Sequence, residues 1–452
     1  MKGQVPTPEE LADDMVAMLF DDNPPQEGDR ILYPGVGDGP FVLAVCRYCE
    51  ERDLPVPGGI GIESDPHLVA EDRGTLGAAN VEIQKRDFLG DSSDLGTFEY
   101  VIGNPPYVPI EGLDEDEKDR YKATFDTAVG RFDLYILFFE RALEHLAEGG
   151  RLVFVTPEKY EYVDTAEPLR RILATHHVES IRHVEEDAFA GKITFPTITA
   201  VVNRDPDTTR VIRRDGSEKI VELSADGSSW ASHVRTGSEP LVESGVTLGD
   251  VTERISPGIA TGNDGLFVQD RSEVPPQLLG EWTHPTVSGK QLRANDGPET
   301  DSVFICPYDD NGRLISEDQL GNFGEWAKIH RDELENRHCV ENGKAWYSWH
   351  ENPPLDDILQ PKILCKDIAD EPRFWADRSG DVVPRHTVYY LVSKDHVDLD
   401  ELLEYLNGPE AKAWLEANCQ RASNGFYRLQ TRVMEDLPVP EEWGRTIQET
   451  LI

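Results

Sequence analysis

Apolar positions in the first two hundred residues fall into short runs separated by polar turns and by stripes at helical spacing. The runs are Ile31-Leu32-Tyr33, Gly59-Ile60-Gly61-Ile62, Val81-Glu82-Ile83-Gln84, Tyr100-Val101-Ile102 and Arg151-Leu152-Val153-Phe154-Val155. Between them lie helical stripes: Leu11, Met15, Val16 and Leu19, then Phe41, Val42, Ala44, Val45 and Tyr48. Ahead of the first stripe, Thr7 reads as an N-cap, Pro8 as the first helical residue and Glu10 as the partner in a capping box. A further helix is predicted from Phe132 to about Leu146, stopped by Gly149-Gly150. Residues 180–184 and 197–202 read as the last two strands, and Thr208–Leu223 as a hairpin around Arg214-Asp215-Gly216-Ser217. Strands alternating with helices predict an α/β fold with a largely parallel sheet. Polar residues at Asp226-Gly227-Ser228-Ser229 and Gly237-Ser238-Glu239-Pro240 place a boundary near 240, giving domains 1–240 and 241–452. The second stretch has fewer clear repeats and reads as mixed α+β.

The ends of the strands carry the chemistry. Residues 103–107 are Gly-Asn-Pro-Pro-Tyr. Two prolines have no N–H for a ladder, so they belong at the carboxyl end of a strand, where open α/β sheets bind ligands. Asn104 and the Pro105 carbonyl can accept two hydrogens of an exocyclic amine, and Tyr107 offers a flat face to a planar ring such as adenine. Pro106 stiffens the turn between them. Upstream, Pro34-Gly35-Val36-Gly37-Asp38-Gly39 is a glycine turn between strand and helix, which lets backbone approach a cofactor closely. Glu63 ends the next strand, the position at which a nucleotide-binding α/β unit holds ribose hydroxyls. Asp87 and Phe88 end the third, an acid for an adenine amino group and a ring to cover the base.

Composition raises one objection to a nucleic-acid ligand. The chain carries 86 acidic against 44 basic residues, a net charge of –42. Bulk charge of that sign repels DNA. The acids are spread along the whole chain, however, and lysine is scarce, at 14 against 30 arginines. Such a surface is what proteins from very salty cytoplasm show, where the Debye length falls to ~3 Å. Six cysteines in 452 residues make no disulfide framework, and the Cys46–Cys49 pair has no second pair to complete a metal site, so no metal is expected. No run approaches the ~18 apolar residues of a membrane span, and no signal pattern opens the chain, so a cytoplasmic protein is expected.

Taken together, the strand ends resemble those of S-adenosylmethionine-dependent methyltransferases of the Rossmann-like fold. The order of the opening Gly3-Gln4-Val5-Pro6-Thr7-Pro8 segment, glycine turn, Asn-Pro-Pro-Tyr and long C-terminal region is similar to the γ-class N6-adenine DNA methyltransferases of restriction–modification systems. The resemblance implies S-adenosyl-L-methionine as cofactor, held by Thr7, Pro34, Gly35, Gly37, Asp38, Glu63, Asp87, Phe88 and Asn104. It implies a flipped adenine in double-stranded DNA as substrate, met by Asn104, Pro105, Pro106 and Tyr107. An aromatic residue, Phe189 or Phe195, is expected on the base's other face, and Asp133 and Tyr135 near cofactor or base. Residues 255–268, 289–293, 361–368 and 406–440 resemble segments of target-recognition domains. Their basic residues Lys290, Arg293, Lys362, Lys366, Arg421 and Arg428 are candidate phosphate contacts. The family usually has an acid where this chain has Tyr33. A phenol cannot supply that charge at neutral pH, and Asp38 is the candidate replacement. Because the chain begins almost at the first motif, no N-terminal nuclease domain is expected, and any restriction endonuclease is expected as a separate partner. Two other readings stay open: an N-methyltransferase acting on protein glutamine or RNA, and a non-catalytic DNA-binding specificity protein, suggested by Tyr33.

Overall fold

The computed structural model describes residues 5–20, 22–65, 80–185, 189, 195–235, 244–293, 298, 300–422 and 426–444. Residues 3–4 of the opening segment and the polar stretch at 237–240 lie outside them. The chain divides into two compact units, Met1–Glu239 and Pro240–Ile452.

Among its described residues, the first unit is built on one nine-stranded sheet. Its strands are β1 (Arg30–Pro34), β2 (Gly58–Glu63), β3 (Val81–Lys85), β4 (Phe98–Gly103), β5 (Leu146–Pro157), β6 (His177–His183), β7 (Pro196–Val202), β8 (Thr209–Ile212) and β9 (Glu218–Val221). They lie in the order β3-β2-β1-β4-β5-β7-β6-β8-β9. β1 to β5 pair in parallel, whereas β7 runs antiparallel to both β5 and β6. Strand order reverses at β1 and β4, so the crevice beyond their carboxyl ends is the switch point of the sheet.

Both sheet faces are covered, which explains why the central strands are apolar without alternation. Along β5, Val153 and Val155 join the core under α1 (Glu9–Phe20) and α2 (Pro40–Arg52). Leu152 and Phe154 join the opposite core, with α3 (Glu115–Thr124), α4 (Leu134–Glu144) and α5 (Glu167–Leu173). α1 docks through Leu11, Ala12, Met15, Val16, Leu19 and Phe20, all buried. The expected cap is shifted by one residue. The Ala12 N–H donates to the Pro8 carbonyl, so Pro8 occupies the cap position, and Thr7 is engaged elsewhere.

The Gly149-Gly150 expectation was wrong. α4 ends at Glu144, and both glycines lie inside β5. A side chain at Gly150 would sit 2.9–3.0 Å from the carbonyl oxygens of Ala147, Phe98 and Glu99. Glycine is required there by the approach of β4's backbone, at an irregularity in the β4–β5 register.

The second unit is mixed α+β. Its described residues form two four-stranded sheets and a small ribbon, made from β10 (Thr252–Pro257), β11 (Val268–Asp270), β12 (Thr283–Val287), β13 (Ser302–Ile305), β14 (Lys362–Lys366), β15 (Ile368–Ala369), β16 (Phe374–Asp377), β17 (Val383–Pro384), β18 (Val388–Ser393), β19 (Gln420–Arg421) and β20 (Tyr427–Arg428). An aromatic core gathers Phe267, Phe304, Trp326 and Trp349, and an aliphatic one packs helices Leu399–Leu406 and Pro409–Asn418 on β14 and β18.

Candidate active site

The glycine turn is shaped by its backbone. Gly35, Gly37 and Gly39 have φ of 65°, 54° and 80°, a region that side chains disfavour. The turn curls back onto β2: the Val36 N–H donates to the Ile62 carbonyl (3.0 Å), and the Gly37 N–H to Glu63 Oε2 (3.2 Å). Glu63 is buried, and its Oε1 accepts from the Asp65 N–H (2.8 Å). These bonds fix the carboxylate at the end of β2.

A cavity of about 600 Å³ opens at the switch point. Gly35, Glu63, Asp87, Phe88, Asn104 and Pro106 line it, together with Ile62, Leu134 and Phe138 as apolar walls and Glu117 and Tyr121 from α3. Phe88 and Phe138 meet at 5.2 Å between ring centroids. Asp87 is not idle: its Oδ1 accepts from the Leu89 N–H (3.0 Å), and its Oδ2 pairs with Arg120 of α3 (3.1 Å). That link from α3 to the third strand's end was not visible in the sequence.

Asn104 is the hub. Its Nδ2 donates to the Val5 carbonyl and to Thr7 Oγ1, both at 3.0 Å. Its Oδ1 accepts from the Tyr107 hydroxyl at 2.7 Å. The same hydroxyl lies 3.3 Å from the Val155 carbonyl. Thr7 thus reaches the site through Asn104. Tyr107 stands edge-on to Tyr135 at 6.4 Å, and burial pushes its hydroxyl well above the usual phenol range.

Asp133 occupies the N-cap position of α4 beside this turn. The Leu134 N–H donates to the Val108 carbonyl, which ties the start of α4 to the residue after Tyr107. Burial pushes the Asp133 carboxyl up to about 6, against the opposing influence of the Tyr135, Val108 and Leu134 N–H groups and of Lys159. Its Oδ1 is buried and makes no hydrogen bond.

Several expected residues sit elsewhere. Pro34 is buried at the end of β1, and Pro105 is buried inside the turn. Among the described residues lining the cavity, neither appears, nor do Thr7, Gly37, Asp38, Tyr107, Phe189 or Phe195. Asp38 is exposed and does not line the cavity. Tyr33 is buried among the α1–α2 core, where burial keeps it neutral. Phe189 is a correction: its ring is 1% exposed and packed in that same core, which leaves no face for a base. Phe195 is half-buried, with the Arg214 guanidinium 5.6 Å above its ring. Its carbonyl accepts from the Glu158 N–H, and Glu158 pairs with Arg214 (2.6 Å) and Arg235.

In the second unit the basic set separates. Lys362 is the clear correction. It is fully buried on β14, with Nζ donating to Asp377 Oδ2 at 2.5 Å across the β14–β16 pair. Lys290 and Arg293 are exposed. Lys366 lies 5.9 Å over the Trp375 ring, and Trp375 Nε1 donates to the Arg293 carbonyl (2.9 Å). Arg421 packs over Tyr427 (5.1 Å), and Arg428 is 3.4 Å from Asp367.

Comparison with known proteins fits this geometry. Residues 62–189 match the Eco57I restriction-modification methylase family, and residues 310–439 match the TaqI-like C-terminal specificity domain. The chain is 24% identical to the type II methyltransferase M.PaeR7I of Pseudomonas aeruginosa, over 97% of this chain and 86% of that protein. It is 27% identical to the type II methyltransferase M.XhoI of Xanthomonas vasicola, over 76% and 68% respectively. Among solved structures, the type IIL restriction-modification enzyme MmeI, solved in complex with DNA, shares the fold with a TM-score of 0.63 at 12% identity, covering 95% of this chain and 64% of that one. The chain is thus similar to type II restriction-modification methyltransferases, and its C-terminal part to a TaqI-like specificity domain.

Proposed function

We propose that this protein transfers the methyl group of S-adenosylmethionine to N6 of an adenine flipped out of double-stranded DNA, with the second unit reading the site. The observation that carries the reading is that Asn104 and Pro106 share one cavity with Glu63, Asp87 and Phe88. Its size suits a nucleoside-sized cofactor, since small-molecule sites run to about 300–1,000 Å³. Glu63 would hold the ribose, Asp87 the adenine amino group, with Phe88, Leu134 and Phe138 enclosing the base. A side chain at Gly35 would project towards Phe138, 4.0 Å away, into the same cavity. The cofactor supplies an electrophilic methyl group on a sulfonium.

The chain's own part is positioning. Adenine's amino lone pair is delocalised into its ring, so the amine is a weak nucleophile. Asn104 Oδ1 and the Pro105 carbonyl would each accept one amine hydrogen, favouring a pyramidal nitrogen. Oδ1 has a second lone pair beside the one that meets the Tyr107 hydroxyl. Tyr107 would stack on one face of the base and Phe195 is the candidate for the other, once the base has left the duplex. Lys290, Arg293, Lys366, Arg421 and Arg428 are the proposed phosphate contacts, without Lys362. A separate restriction endonuclease would act on the unmethylated site.

The test is transfer of labelled methyl from S-adenosylmethionine to unmethylated duplex DNA, followed by sequencing for N6-methyladenine. Label on cytosine, on RNA or on protein glutamine instead would refute the assignment.

A further inference from the structure

The second unit's small ribbon has an outward face of unusual composition. Ile368 pairs with Arg428 and Ala369 with Tyr427, while Gln420 and Arg421 pair with the same two residues from the other side. Side chains alternate along strands, so Ile368, Arg428 and Gln420 share one face, and Ala369, Tyr427 and Arg421 the other. Ala369 is buried and Tyr427 packs against the aliphatic core, which makes theirs the inner face. Phe426, two residues before Arg428, returns to the outer face, and its carbonyl accepts from the Ala422 N–H (2.7 Å), closing the hairpin. Ile368 is 47% exposed and Phe426 36%. Only Ile329 joins them as an exposed large apolar residue among the described residues of this unit. A lone exposed apolar side chain is ordinary. Two on one ribbon face, either side of a guanidinium, ask for a partner.

We propose that this face lies against duplex DNA, with Ile368 and Phe426 in apolar contact with bases and sugars while Arg428 meets a phosphate. The inference rests on the reading that the second unit binds DNA. Charge favours an anionic occupant over an apolar or a basic one: Lys366 stands two residues before Ile368, and Arg428, on the outer face, has only the exposed pair with Asp367 (3.4 Å) to give up. The DNA-binding reading of this unit then selects DNA among anionic partners. A chain at –42 gains little from bulk attraction to phosphates. Apolar contact in a groove adds affinity that releases no counterions.

The experiment measures the affinity of the full chain for a duplex fragment that it methylates, across a salt series. Ile368→Ser with Phe426→Ser should weaken binding at least about tenfold, the scale of losing one buried apolar side chain. The slope of log affinity against log salt should stay at the wild-type value. Arg428→Gln should instead lower that slope by about 0.9. Ile368→Leu with Phe426→Leu should keep near-wild-type affinity. Cofactor binding and the unfolding midpoint of each variant, unchanged, exclude misfolding as the cause. Wild-type affinity in the double serine variant would overturn the proposal while leaving DNA methylation intact, as for a face that instead binds protein. A loss of affinity with a matching loss of slope would overturn the apolar contact. If the wild-type chain binds no duplex DNA, both this proposal and the functional reading fall.

Discussion

Asn104→Ala should separate the chemical role of this residue from its role as an anchor. Its Nδ2 makes two hydrogen bonds to the opening segment, at 3.0 Å each, and its Oδ1 faces the Tyr107 hydroxyl. Two neutral hydrogen bonds contribute about 1–3 kcal/mol together. Residues 5–8 should therefore loosen, and cofactor affinity should fall by roughly tenfold if that segment helps hold the methionine end. Tyr107 keeps the Val155 carbonyl as an acceptor, so its hydroxyl is not stranded. Methyl transfer should fall much further, by about 10²–10³, the usual effect of deleting one group that stabilises a transition state. Thr7→Val removes only one of the two anchoring bonds and leaves the amine acceptor in place. It should cost a few-fold in cofactor affinity and little in the transfer step. The assay pairs equilibrium binding of S-adenosylhomocysteine with single-turnover methyl transfer at saturating cofactor, for both variants and the double. In binding, the two substitutions should overlap, because they break the same contact. Strict additivity, with a coupling energy under about 0.5 kcal/mol, would refute the anchor. A Thr7→Val enzyme as slow in transfer as Asn104→Ala would refute the assignment of Asn104 to the amine.

Glu63→Ala should weaken cofactor binding by about 1.5–3 kcal/mol, the range for hydrogen bonds to a charged group, and an unchanged dissociation constant would remove Glu63 from the site. Lys362→Met should lower unfolding stability by about 3–5 kcal/mol, because the Asp377 carboxylate, though still hydrogen-bonded to Ser379, Gly380 and Val382, loses its counter-charge in the interior. DNA affinity measured on the folded fraction should not change; a selective loss of DNA binding without destabilisation would return Lys362 to the surface. Asp133→Asn should stabilise the protein above pH 6. The folded carboxyl titrates near 6, above its unfolded value, so the wild type is penalised progressively as pH rises from about 4 through 6. The gain should reach at most roughly 3 kcal/mol and vanish below pH 4. A stability difference independent of pH would show that the carboxyl is not shifted.

The fold was legible wherever one residue type admits only one backbone. Positive φ at Gly35, Gly37 and Gly39 and the two prolines after Ile102 mark the switch point without any tertiary information. Legibility failed where a residue has two good uses. Gly149-Gly150 could end a helix or admit a neighbouring backbone, and only the position of Phe98 and Glu99 decides which. It failed again where the partner is distant. Asn104 meets Thr7 97 residues away, and Asp87 meets Arg120 33 residues away. The acceptor chemistry of Asn104 could be read locally, but not the donor half that moors the chain's opening segment.

The basic residues show the same limit in a form that matters for DNA. Lys362 is drawn inside because β14 faces β16 in a register that sets it opposite Asp377, and this pairing has no counterpart in local charge density. Arg428 stands beside Asp367, Arg378 beside Asp400 (2.6 Å) and Lys412 beside Glu371 (2.6 Å). In a chain with 86 acids, a cation meets an internal carboxylate before it meets a phosphate. Exposed pairs of this kind contribute only about 0–1 kcal/mol, so a phosphate can displace the carboxylate at small cost. The exchange nevertheless swaps one anion for another and reduces the net gain per contact. Counting lysines and arginines therefore overstates the electrostatic attraction of this surface, which gives the proposed apolar contact of Ile368 and Phe426 its weight.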